Sequence, residues 1–303
     1  MAITGKAKRK IILNITGYLF IAPLLIYFIV FQAIPIFMSL YYSFTDWSIG
    51  HSARWVGLRN YQDLFFNRVS YPYFWKSLGV TLKFVVLVVA GTLVASLFMA
   101  ILLNAVKRSA AFFRVAIFLP YVTSTVAVAA IWKWLYDPLY GLINYFLSLI
   151  IPNFQNVAWL KEEKYALAAF AIMVIWQVSG YYMMIFLARL KSIPEEYYEA
   201  ARIDGANIWQ SFRHVTLPML RPATFYVLIT LFIISFQVFD IVYILTKGLG
   251  DPNKSTLTYV LGLFNHAFRY NEMGIASAMS FILFIIIVVV AIIQFKVVPQ
   301  DVE

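Results

Sequence analysis

Residues 84–103 read FVVLVVAGTLVASLFMAILL, twenty positions without a charge. A helix rises 1.5 Å per residue, so this run reaches about 30 Å, the thickness of a bilayer's hydrocarbon core. In that solvent the backbone must satisfy its own hydrogen bonds, and a helix does so within one segment. Gly91 and Ala95 recur at helical spacing and suit close packing of a neighbouring helix. Working outward, five more stretches have the same character: Tyr18–Leu40, Val115–Trp132, Tyr165–Ala188, Pro222–Phe239 (extending past Asp240 to Thr246) and Met273–Phe295. Pro23, Pro35 and Pro120 lie inside spans, where neighbouring helices or water can satisfy the freed carbonyls. Alternating strands of about ten residues, the mark of a membrane barrel, are absent. The sequence predicts an all-α integral membrane protein with six transmembrane helices.

Composition leads to the same solvent. Of 303 residues 62% are hydrophobic and 13% charged, with a mean hydropathy of +0.79. A soluble domain carries about 25% charge, and a water-exposed globule of this composition would aggregate. Without cysteine the chain has no disulfide, thiolate metal site or cysteine nucleophile. His51, His214 and His266 are too scattered to suggest a metal cluster, so no metal site is expected.

Lys6, Lys8, Arg9 and Lys10 precede the first apolar run as in a signal peptide, but the run is too long and no small-residue cleavage site follows. It reads as a retained first helix. With the N-terminus inside, thirteen lysines and arginines fall on cytoplasmic segments, among them Lys107, Arg108, Arg114 and five between 189 and 221. Their density is about twice that of the outer loops, which puts both termini in the cytoplasm. The net charge of +10 then needs no nucleic acid to explain it.

The informative cytoplasmic loop joins the fourth and fifth spans and reads SIPEEYYEAARIDGANIWQSFRHVTLP from 192 to 218. Ser192 and Glu195 fit a capping box, Pro194 suits a first turn, and Gly205 is a natural stop. A helix of about three turns is expected, then a second short helix ending before Pro218. Ala200 and Ala201 offer a small, flat surface on which another protein can seat closely.

Glu199-Ala200-Ala201, Asp204-Gly205 and 215–218 (VTLP) resemble the EAA loop of ABC importer permeases. Segments 236–241 (FQVFDI), 245–248 (LTKG) and 274–278 (GIASA) resemble the last two spans of the carbohydrate-uptake branch, in maltose-transporter-like permeases of the first-subunit type. The resemblance covers residues 15–298 and implies the ABC type I importer permease fold in a bacterial or archaeal cell membrane. It implies that Glu199, Ala200, Ala201, Asp204, Gly205, Leu217 and Pro218 form a coupling surface for a cytoplasmic ATPase dimer, which would bind ATP and Mg. This chain would bind no cofactor and be no enzyme. A second homologous permease and an external sugar-binding protein would complete the assembly. Two departures stand out. The large outer domain of the enterobacterial maltose subunit has no counterpart, and 247–252 (KGLGDP) replaces a tighter Gly-Gly-Pro turn. The implied division is 1–77 (tail, first span, first outer loop), 78–298 (core, with the coupling loop at 189–221) and 299–303 (tail).

Polar residues in the spans point to a substrate path. Asp240 is the one carboxylate inside a span, so it is either functional or an acid satisfied by a neighbouring helix. On a continuous helix Gln237 shares its face, and Gln177 and Tyr181 pair similarly in the fourth span. Tyr243 and Ser277 are added as candidates, because sugars need hydroxyl partners and aromatic faces. Trp132, Lys133 and Trp134 read as an interfacial belt. Residues 248–255 miss a phosphate-binding loop, since Asn253 replaces its second glycine and no strand precedes it. A proton-coupled carrier using Asp240 is the alternative, but no convincing internal repeat supports it. An intramembrane enzyme has no recognisable motif here.

Overall fold

The structure, a computed structural model, describes residues 5–106 and 110–297. Lys107, Arg108, the first four residues and the tail at 299–303 lie outside the described residues, as do the side chains of the N-terminal lysines and arginine. The first span is α1 (Gly5–Phe28), a π turn (Ile29–Ala33) and α2 (Ile34–Ser43). After α3 (Arg59–Phe66) come the second span α4 (Phe74–Ala105), then α5 (Ala110–Val122), α6 (Thr125–Leu135), α7 (Leu142–Ile150) and the fourth span α8 (Glu163–Lys191). The cytoplasmic loop holds α9 (Glu195–Ile203), α10 (Ile208–Ser211), a π turn (Phe212–Thr216) and α11 (Leu217–Met219). The chain ends with α12 (Arg221–Phe236), α13 (Asp240–Thr246), α14 (Tyr259–Phe264), a third π turn (Asn265–Arg269) and the last span α15 (Met273–Val297). Among the described residues five helical stretches are long and apolar enough to cross a membrane, up to six if the bent pair α5–α6 is one span.

α4 and α8 make the most extensive helix pair. Gly91 of α4 faces Ile175 of α8, as its small size suggested. One core, built on Val85, Tyr182, Phe186, Val227 and Met279, joins α4, α8, α12 and α15. A second, around Phe84, Val128, Trp132, Phe170 and Val242, joins the same pair to α6 and α13. Trp132 is therefore a core residue packed against Tyr136 and edge-on to Trp176, while Trp134 is exposed as a belt residue would be.

Two spans differ from the continuous helices expected. The third is bent by 99° between α5 and α6. Ser124 takes an extended conformation (φ −54°, ψ 133°) and a new helix starts at Thr125, five residues after Pro120. The fifth breaks after Phe236, and Phe239 (φ −139°, ψ −61°) leads into α13. The Val238 carbonyl freed by this break accepts a hydrogen bond from the Thr258 hydroxyl at 3.2 Å. A neighbouring segment thus supplies the bond that the helix gives up. Two of the π turns close two residues ahead of a proline, Pro35 and Pro218. Proline lacks an N–H and its ring crowds the preceding turn, which a widened turn relieves.

On the outer side Asn60 donates to the Ser43 and Thr45 carbonyls at 2.9 and 2.8 Å. Gly274 seats directly on the Thr45 carbonyl, so the first and last spans are fastened at their outer ends. The last outer loop turns through left-handed Lys247, Gly248 and Gly250, with Gly250 packed on the backbone of Leu257.

Candidate functional site: a cytoplasmic helical arm and a membrane cavity

The arm begins where α8 ends. Ser192 donates to the Arg189 carbonyl at 2.8 Å, closing α8 instead of opening α9. Pro194 is the residue that turns the chain into α9 (φ −59°, ψ 138°), so Glu195 is the first helical residue and the expected Ser192–Glu195 capping box does not form. Glu195 and Glu196 still sit in the first turn, where the helix dipole favours them. Gly205 ends the helix at φ +78°, as expected, with the Ala206 N–H returning to the Ala201 carbonyl at 2.9 Å. The capping box falls at the next helix. Asn207 accepts from the Gln210 N–H at 2.9 Å, and Gln210 accepts from the Asn207 N–H at 2.8 Å. The path then runs on through Leu217 and Pro218 into α11 instead of stopping before Pro218, because the π turn supplies the Leu217 N–H with the Phe212 carbonyl.

One contact closes the arm on itself and one bond ties it to the end of α8. The Tyr198 and Thr216 hydroxyls are 3.1 Å apart, and Arg189 Nε donates to the Met219 carbonyl at 2.9 Å. Between the two short helices lies an open cleft of about 430 Å³, lined among others by Tyr197, Ala200, Ala201, Asp204, Gly205 and His214. Four of the seven residues picked from the sequence thus share one surface. Glu199 lies on the same helix, exposed and loosely paired with Arg202 at 3.9 Å. Leu217 and Pro218 stand at the root of the arm, outside the cleft.

The second feature lies within the spans. A cavity of about 230 Å³ opens where the bend of α5–α6 faces the break between α12 and α13. Gln177, Gln237 and Asp240 all line it. Gln237 and Asp240 do not share a helical face, since one caps α12 and the other begins α13, yet the break turns both toward the same space. Tyr181 stands one turn from Gln177, stacked on the cavity residue Tyr121 with centroids 4.6 Å apart and 3.3 Å from the Tyr226 hydroxyl. Tyr243 packs on the cavity residue Phe239 and on Phe264 but does not itself line the cavity, and neither does Ser277. The sequence reading missed Phe84, Tyr121 and Ser235. Ser235 is buried, and among the described residues its hydroxyl has no hydrogen-bond partner. Its signal was a hydroxyl in the otherwise apolar stretch 231–236, two residues ahead of Gln237.

Among the described residues no group of three His, Asp or Glu could hold a metal ion. Membrane-crossing helices, a polar cavity at a helix break and an exposed cytoplasmic arm define a multi-pass membrane transport subunit. The chain belongs to the family described as binding-protein-dependent transport system inner membrane component, which matches residues 88–300. It is 38% identical to the probable ABC transporter permease YesP of Bacillus subtilis, over 93% of this chain and 90% of that protein. It is 34% identical to the lactose transport system permease LacF of Rhizobium radiobacter, over 97% and 98%. Among solved structures it resembles a bacterial alginate ABC transporter in complex with an alginate pentasaccharide-bound periplasmic protein. The TM-score is 0.77 at 20% identity, covering 94% of each chain, a likeness of fold. The type I importer permease fold expected from the sequence is the fold observed, and a proton-coupled carrier is not favoured.

Proposed function

We propose that this chain is the transmembrane permease subunit of an ATP-driven, binding-protein-dependent importer of oligosaccharides. The observation that carries the reading is the exposed cleft containing Ala200, Ala201, Asp204 and Gly205, on an arm fastened to the ends of two spans. A push on α9 reaches α8 through Ile193 and α12 through the Tyr198–Thr216 contact. The pusher is a cytoplasmic ATPase dimer that binds ATP and Mg; this subunit carries out no chemistry of its own. The lactose permease and alginate transporter among its likenesses support a carbohydrate as cargo, and the alginate complex supports an external binding protein as donor.

Gln177, Gln237 and Asp240, with Tyr181 beside them, form the polar wall of the path. Aromatic Tyr121 supplies the flat surface that a sugar ring prefers, backed by the buried ring of Phe84. At about 230 Å³ the cavity falls below the roughly 300–1,000 Å³ of a self-sufficient ligand pocket, which supports a second, homologous permease as the opposite wall. Residues 78–298 form the transport core, with 189–221 as its coupling segment. The test is purification of the chain from its own membranes. An ATPase and a second permease should co-purify, and ATP hydrolysis should rise with a sugar-loaded binding protein. Solute uptake that persists without ATP and collapses with the proton gradient would refute the reading.

A further inference from the structure

Helix α7 is amphipathic in the sense opposite to that of a water-facing loop. Its buried polar residue, Asn144, faces the protein, while Leu142, Tyr145, Phe146, Leu149 and Ile150 form an exposed stripe at i, i+3, i+4, i+7 and i+8. Tyr145 is 57% exposed, Leu149 66% and Ile150 76%. From Pro138 to Leu160 the chain carries no charge at all. A contiguous apolar stripe of this kind is rarely left in water.

The inner face is pinned. Asn144 donates to the Val157 carbonyl at 3.0 Å and accepts from Trp159 Nε1 at 2.8 Å. Trp159 packs beside Tyr136, whose hydroxyl donates to the Ala169 carbonyl at 2.9 Å. Ala169 lies less than two turns into α8, so α7 is held level with the outer end of a membrane span. It also follows directly on α6, whose exposed Trp134 and neighbouring Lys133 mark the lipid–water boundary. Nine residues reach about 13 Å, too short to cross.

We propose that α7 lies in the outer interfacial layer of the bilayer, with its Tyr145–Phe146–Leu149–Ile150 face seated among lipid chains. The occupant is lipid because α6 just before it also exposes apolar Val126, Ile131 and Trp134, and because the stripe carries none of the charge that steers protein partners. Held there, α7 moors the outer arm of the bent third span.

The absence of cysteine makes the test direct. Phe146→Cys, Leu149→Cys and Ile150→Cys would be spin-labelled in the full chain, purified with its partners into phospholipid nanodiscs. Asn153→Cys, just beyond the helix, serves as reference. Relaxation by oxygen, which concentrates in lipid, is compared with relaxation by a water-soluble nickel chelate. The oxygen-to-nickel ratio should be several-fold higher at the three stripe positions than at 153. A ratio equal to that at 153 would overturn the proposal in favour of a water-facing loop. Shielding from both reagents would overturn it in favour of cover by another protein. Because the three sites are exposed, the labels should leave co-purification unchanged, and a ratio is read only from variants that pass this check.

Discussion

The hydroxyls of Tyr198 and Thr216, 3.1 Å apart, join the first helix of the cytoplasmic arm to the π turn that leads into the fifth span. They are partly buried, so water does not readily replace the contact. Tyr198→Phe or Thr216→Val should remove about 0.5–1.5 kcal/mol from the clasp without unfolding the chain. The expected outcome is more ATP hydrolysed per sugar imported, measured in proteoliposomes; an unchanged ratio in both variants would show that the contact transmits nothing.

The cleft makes a sharper demand. Ala201→Asp would set an unpaired charge into the docking surface, a cost of several kcal/mol if it becomes buried there. Gly205→Val meets no neighbouring atom, but its backbone at φ +78° is one a β-branched residue rarely adopts. Both variants should insert normally and lose the ATPase on purification. Retention of the ATPase by both would contradict a docking role for this surface.

In the cavity, Gln237→Ala and Gln177→Ala each remove one hydrogen-bonding group, worth about 1–3 kcal/mol or roughly 5- to 150-fold in sugar handling. Tyr243→Ala and Ser277→Ala should matter far less, because neither residue faces the cavity. Uptake at limiting sugar separates the two pairs. Equal effects across all four would mean that the path follows the continuous-helix reading and not the observed break.

Gly180 offers a test of the bent third span. A side chain there would run into the backbone of Ile117 and Phe118 on α5. Gly180→Leu should therefore separate α5 from α8, at a cost of about 1–3 kcal/mol or more. Loss of assembled complex on mild detergent extraction is the expected readout. Gly79→Leu, with open space around it, serves as the control.

The spans were legible because length and hydropathy fix where a helix can cross, whatever it packs against. Their interruptions were not. Gln237, Val238 and Phe239 contain no helix breaker, and the carbonyl freed at the break is satisfied by Thr258, a residue from another segment. Pro120 was visible, but the chain bends beyond it, at Ser124. Within the arm, Gly205 was read correctly because positive φ is a local property of the residue. Ser192 was misread because the extended conformation of Pro194 delays the helix start. The box at Asn207 and Gln210 has the same three-residue spacing and was overlooked. Three of the four favoured path residues line the cavity and Tyr181 adjoins it, although the helical-face argument linking Gln237 to Asp240 did not hold.

The π turn at Phe212–Thr216 sets the angular phase of the arm. A π turn is an α-helix with one residue too many, and one residue is about 100° of rotation. Deleting any single residue between 212 and 216 would restore an ordinary helix while swinging the Ala200–Ala201 surface by more than a quarter turn about the axis of α12. The interval of thirteen positions from Gly205 to Pro218 therefore works like a keyway: substitutions within it change chemistry, but a change in its length re-aims the whole arm.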